Sequence, residues 1–243
     1  MVCRALAFGW ASASGRLHNL GAVIVTPPAP PAATTATPLV PAGLRRPAVV
    51  VAAGCAVLLG VLALLVGRTS APTSFDTWGE HLVRGLHALP SGWTDVAVAP
   101  GEPVFVVAVA VLVAAWCTWK QHWRPAAIVV AGPGLTGIAE LVLKPVVGRT
   151  IPSGDLAFPS GHTAGATALV LALTLVVAGV VRERRELALT VGVLATVAVA
   201  VVVAVGLVAE RAHYPTDTIG GFCLAVVMTV AAAAAVDRVA NRR

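Results

Sequence analysis

The chain has 243 residues, of which 58% are hydrophobic and 12% charged, with a formal net charge of +6. Soluble domains carry about 25% charged residues, so the polar surface of a water-soluble fold is missing. Nucleic-acid binding is excluded as the meaning of the positive charge, because the basic residues gather between apolar runs, as membrane topology requires.

Residues 1–46 read as a disordered cytoplasmic leader, because the stretch from Pro27 to Pro41 is mostly Pro, Ala and Thr and cannot bury a core. Apolar runs then follow at about 47–67, 103–119, 125–143, 161–181, 187–209 and 218–236. Each approaches the ~20 residues that a helix needs to cross the hydrocarbon core. They predict an all-α, six-transmembrane-helix bundle over residues 47–236, followed by a basic tail at 237–243. The second run is short, and Gly132-Pro133-Gly134 is expected to interrupt the third. Between the first two runs, Phe75, Trp78, Leu82 and Leu86 recur at helical spacing with charges between them, the pattern of an interfacial helix. Ala52-Ala53-Gly54-Cys55 resembles a lipoprotein cleavage box, but it lies too close to Arg46 and its apolar run continues, so an ordinary first span is expected. The cysteines Cys3, Cys55, Cys117 and Cys223 show neither metal-ligand spacing nor a disulfide framework.

With both termini in the cytoplasm, twelve Lys and Arg residues fall inside and five outside. That asymmetry follows the positive-inside rule and fixes a multi-pass protein of the cell membrane. Three polar segments then share the extracytoplasmic face: Glu140 to Arg149, Pro159 to His162, and Arg211 to Asp217.

In Pro159-Ser160-Gly161-His162, Ser160 is a good N-cap for the fourth span. The unpaired N–H groups of that first turn make an anion site, and His162 beside it would protonate an oxygen leaving a phosphate. A polar turn with an interfacial histidine is the plainer alternative. His213 and Asp217, four residues apart, would share one face of a helical turn. The carboxylate would then fix the imidazole tautomer and leave the other nitrogen free to attack phosphorus. Asp217 merely capping the sixth span is the alternative. Lys144, four residues after Glu140, and Arg149 supply positive charge near the same surface, either for a phosphate on substrate or for lipid headgroups.

These segments resemble the type 2 phosphatidic acid phosphatase (PAP2) superfamily, whose motifs are a lysine with Arg-Pro downstream, Pro-Ser-Gly-His, and Ser-Arg followed by a His…Asp pair. Lys144, Pro159 to His162, and His213 with Asp217 match in order and spacing. The resemblance implies that His213 attacks phosphorus, Asp217 orients it, and His162 protonates the leaving group and later helps water cleave a phosphohistidine. It further implies that Lys144, Arg149, Ser160 and Gly161 hold the phosphate, without metal or cofactor. Two positions depart from the pattern. Ile151 stands where the first-motif arginine is usual, and Gly206-Leu207 stand for Ser-Arg. Arg149, two residues before Ile151, and Arg211 are the expected substitutes; Arg211 would share a face with Leu207 if the fifth span stays helical through residue 211. The expected activity is hydrolysis of a lipid phosphate or diphosphate, with membrane lipids as surroundings. A catalytically impaired lipid-phosphate binding or transport protein is the alternative.

Overall fold

The computed structural model describes residues 38–89 and 92–242. The leader through residue 37 and the cysteine at position 3 lie outside the described residues. Among the described residues eight α-helices follow in order: α1 (Ala42–Val66), α2 (Ser74–Val83), α3 (Trp93–Val98), α4 (Pro103–Trp119), α5 (Trp123–Val147), α6 (Gly161–Val180), α7 (Arg185–Ala209) and α8 (Pro215–Ala240).

Helices α1, α5, α6, α7 and α8 are each long and apolar enough to cross a membrane. A sixth crossing exists if α4 is joined to residues 93–101, from which it departs by a 49° bend. Thus the short second run is half of a bent unit. The third run differs from expectation. Helix α5 is continuous through Gly132-Pro133-Gly134 and also carries Pro145. Gly132 faces Thr229 of α8 and Ala172 of α6, and an added Cβ there would lie in ordinary contact with them at 3.4–3.6 Å.

Helix α6 lies at the centre, packed on α5, α7 and α8, whereas α1 rests on α8 at the periphery. Burial agrees: 61% of the apolar window of α6 is covered, against 6% in α1. Its buried side chains are mostly small, among them Ala164, Ala166, Thr167, Ala168, Ala172 and Ala178. In lipid there is no hydrophobic drive to pair helices, so close van der Waals approach between small residues does the work. Conversely, Leu64, Leu65, Val104 and Leu194 stand exposed on the perimeter, where acyl chains replace water.

The two ends of the bundle are finished differently. At one end the buried Asp237 accepts hydrogen bonds from the Leu39 and Val40 N–H groups at 2.9 and 3.3 Å and pairs with Arg124 at 3.6 Å. Arg185 donates to the Pro38 and Leu39 carbonyls, so residues 38–40 are strapped across the ends of α7 and α8. All three polar segments singled out in the sequence lie at the other end, where α5 and α7 finish and α6 and α8 begin.

Candidate active site

The site begins with the last turns of α5. Glu140 and Lys144 form an i,i+4 ion pair at 2.7 Å. Gly148 then ends the helix in a left-handed conformation (φ 66°), its N–H bonded to the Lys144 carbonyl at 2.8 Å. That C-cap turns the chain inward and delivers Arg149 to the interior. The loop returns on itself, with Ala157 N–H on the Arg149 carbonyl at 2.9 Å, and leads into the start of α6.

Ser160 is the buried N-cap of α6, its hydroxyl accepting from the Thr163 N–H at 3.4 Å. Its own N–H donates to the Asp217 carbonyl at 3.0 Å, which fastens the Pro159–His162 segment to the first turn of α8. Gly161 faces Glu140 so closely that an added Cβ would lie 2.5–2.9 Å from the carboxylate. His162 Nε2 lies 3.3 Å from Glu102 Oε1, which stands at the head of α4. Lys144, Glu140, Gly161 and His162 thereby line one cavity of about 290 Å³ together with Val106, Val107, Pro133 and Thr136.

Helix α7 stops at Ala209, so it does not stay helical through residue 211. Arg211 takes a left-handed conformation (φ 60°) with an exposed side chain. The Ala212 N–H reaches the Leu207 carbonyl at 3.0 Å and the Arg211 N–H the Val208 carbonyl at 3.1 Å, the two bonds of a Schellman cap. Arg211 therefore does not lie over Leu207 on a helical face. Leu207 is itself buried with Val98, Ala166 and Val203. At Gly206 an added Cβ would sit 3.0 Å from Val98 and 3.1 Å from Ala97, so the packing of α3 accounts for the departure from Ser-Arg at these positions.

His213 precedes α8 instead of sharing a helical turn with Asp217. Its Nδ1 lies 3.7 Å from Asp217 Oδ2, beyond hydrogen-bond reach, and its side chain is only 10% exposed. Asp217 Oδ2 accepts the Tyr214 N–H at 2.9 Å and Oδ1 accepts Arg149 Nη1 at 2.7 Å. Arg149 is wholly buried. Its Nη1 also meets Thr216 Oγ1, its Nη2 donates to Asp76 Oδ2 at 2.7 Å, and its guanidinium lies 4.5 Å from the Tyr214 ring centre. Both terminal nitrogens thus lie on protein acceptors, Nε has no hydrogen-bond partner, and the guanidinium sits between two carboxylates.

Asp76 and Glu102 were not singled out in the sequence. Thr73 and Asp76 do carry a local signal, the S/T-x-x-D/E spacing that opens α2, and they form that capping box. Nothing local tells that the same carboxylate reaches residues 149 and 216. Burial pushes the Asp76 carboxyl up, but the Thr216 and Thr73 N–H donors and then Arg149 outweigh it and hold it below the ordinary aspartate value. Among the described residues no group of three or more His, Cys, Asp or Glu side chains is arranged to hold a metal ion.

A helical bundle built to cross a membrane, with two histidines and a capped helix start at one end, defines a polytopic membrane protein. The PAP2 superfamily model matches residues 101–240, more than half of the chain, and the chain belongs to that superfamily. It is similar in fold to a crystal structure of a transmembrane PAP2-type phosphatidylglycerolphosphate phosphatase from Bacillus subtilis, at 17% identity and a TM-score of 0.61, covering 77% of this chain and 96% of that one. No curated protein matches the chain.

Proposed function

We propose that the protein hydrolyses a lipid phosphate or diphosphate through a phosphohistidine, without a metal, at the extracytoplasmic face of the cell membrane. The observation that carries this reading is the Ser160 N–H bond to the Asp217 carbonyl at 3.0 Å, because it joins the two histidine-bearing segments into one unit.

His213 presents Nδ1 to Asp217, which leaves Nε2 as the lone pair that attacks phosphorus. The N–P bond forms as the bond from phosphorus to the leaving oxygen breaks. His162, on the first turn of α6, gives its proton to that oxygen. It then takes a proton from water, whose oxygen displaces the imidazole and releases inorganic phosphate. Lys144 and the N–H groups at the α6 start supply the positive charge that a metal would otherwise provide. Arg149 holds Asp217 in place. Arg211, exposed two residues before His213, is a further phosphate ligand in this reading, reached from a turn and not from a helix.

Val106, Val107 and Pro133, which line the same cavity as Lys144 and His162, suit a substrate that brings a hydrocarbon chain with its phosphate. The test is phosphate release by purified protein in detergent with chelator present. Polyprenyl diphosphate, a polyprenyl-phosphosugar phosphate, phosphatidic acid and phosphatidylglycerophosphate form the panel. His213→Ala is expected to abolish turnover and the acid-labile phosphoenzyme. His162→Ala is expected to lose ~10²–10⁴-fold on lipid substrates, and far less on an activated aryl phosphate whose leaving group needs no proton. Equal losses on both substrates would remove His162 from the acid role.

A further inference from the structure

We infer that Asp76 is a positioning residue of this active site, acting through Arg149 on Asp217 and so on His213; the inference rests on the reading of His213 as nucleophile. Asp76 lies on α2, before residue 101, where the family match begins.

Its carboxylate is fully buried and both oxygens are saturated. Oδ1 accepts the Thr216 N–H at 2.9 Å and the Thr216 hydroxyl at 2.8 Å. Oδ2 accepts Arg149 Nη2 at 2.7 Å, with the Thr73 N–H and hydroxyl each at 2.9 Å. The Arg149 guanidinium is thus a planar fork between two carboxylates, Asp76 on one terminal nitrogen and Asp217 on the other. Buried charges persist only when paired and hydrogen-bonded, and here each member depends on the other two. Helix α2 is also pressed on the start of α8, since a Cβ added to Gly79 would lie 2.6 Å from Pro215 Cγ.

The chemical effect follows from this sharing. While Arg149 divides its charge, Asp217 keeps enough negative charge to orient His213 and to offset the imidazolium character that develops when its nitrogen bonds to phosphorus. Without the Asp76 charge, the guanidinium loses one of its two anchors. Its charge then falls on Asp217 alone, and the Asp217 carboxylate 3.7 Å from His213 Nδ1 becomes a weaker counter-charge for the imidazole. A shift on the order of an ångström at a reacting group costs up to about 10²-fold in rate.

The experiment measures the rate constant of phosphoenzyme formation by rapid quench, which does not depend on the fraction of molecules that fold. Asp76→Asn, Asp217→Asn and the double variant form a cycle in the full chain. Asp76→Asn is expected to slow phosphorylation about tenfold or more with KM little changed, and to add no further loss on top of Asp217→Asn. Independent effects would instead multiply. If Asp76→Asn does not yield folded protein, Arg149→Lys takes its place in the cycle, because it keeps one charge but not the fork. A wild-type rate in Asp76→Asn, or losses that multiply in the double variant, overturns the role of Asp76 alone. Absence of both phosphoenzyme and phosphate release from the unmodified protein overturns the phosphatase reading, and this role with it.

Discussion

The Lys144 ammonium lies 2.7 Å from the Glu140 carboxylate, and that carboxylate is laid against Gly161 at the head of α6. An internal anion therefore stands where Lys144 and the helix start would receive a phosphate, and an incoming phosphate has to compete with it. Glu140→Gln is expected to tighten competitive inhibition by inorganic phosphate about tenfold, the size of one charge-assisted hydrogen bond released. The inhibition constant, measured at one pH on both proteins, checks this. An unchanged or weaker constant would mean that Glu140 serves to aim Lys144.

Arg211 carries a left-handed backbone (φ 60°), a conformation that costs a residue with a Cβ about 1 kcal/mol and costs glycine none. Strain of this kind collects at functional positions. Arg211→Gly is thus expected to move stability and activity in opposite directions. Unfolding should become harder by about 1 kcal/mol, while kcat/KM falls by ~1.5–3 kcal/mol of lost charged contact. Chemical denaturation and lipid-phosphate kinetics on the same preparations give both numbers. A stability gain with unchanged kinetics would leave Arg211 as a turn residue only.

Acid should weaken the protein in part through Asp76. Its carboxyl is held below the ordinary value of 3.8, so its stabilising contribution is complete above that value and is lost as pH falls below it toward the folded-state pKa. The difference in thermal stability between wild type and Asp76→Asn should therefore be constant at neutral and mildly acidic pH. It should shrink below about pH 4. A difference that shrinks already near pH 6 would point to a histidine as the responsible group.

Orientation is open to a direct test. Ser153 lies in the exposed loop at the histidine end, and Gln121 in the exposed turn between α4 and α5 at the other end. Single cysteines at these positions, in a background without native cysteines, are expected to differ toward an impermeant thiol reagent. Ser153→Cys should label in intact cells and Gln121→Cys only after lysis. The reverse pattern would put the site in the cytoplasm.

The parts legible in the sequence are those with a local cause. Apolar runs located α1 and α4 to α8, and the spacing of Phe75, Trp78 and Leu82 located α2. Ser160 announced the start of α6 by its capping chemistry. Gly132-Pro133-Gly134 misled because a proline's lost hydrogen bond can be tolerated when neighbouring helices enclose the turn, and neighbours are not visible in a linear string. The Schellman cap at Arg211 was hidden because arginine does not advertise a left-handed position as glycine does. The fate of Arg149 was hidden for another reason: its partners Asp76 and Asp217 are 73 and 68 residues away, so no local pattern joins them.

Helix α2 has a second face. Phe75, Trp78 and Leu82 are exposed to 45%, 57% and 63%, and Phe75 and Trp78 rest on each other at 5.6 Å, while Asp76 on the same helix is sealed against the bundle. Apolar side chains so arranged settle into the boundary between headgroups and acyl chains. On the proposed reading, lipid bears on the outer face of α2 while Arg149 holds its inner face through Asp76. Detergent that strips this boundary should cost activity before it costs helicity, and returning the protein to vesicles should restore it.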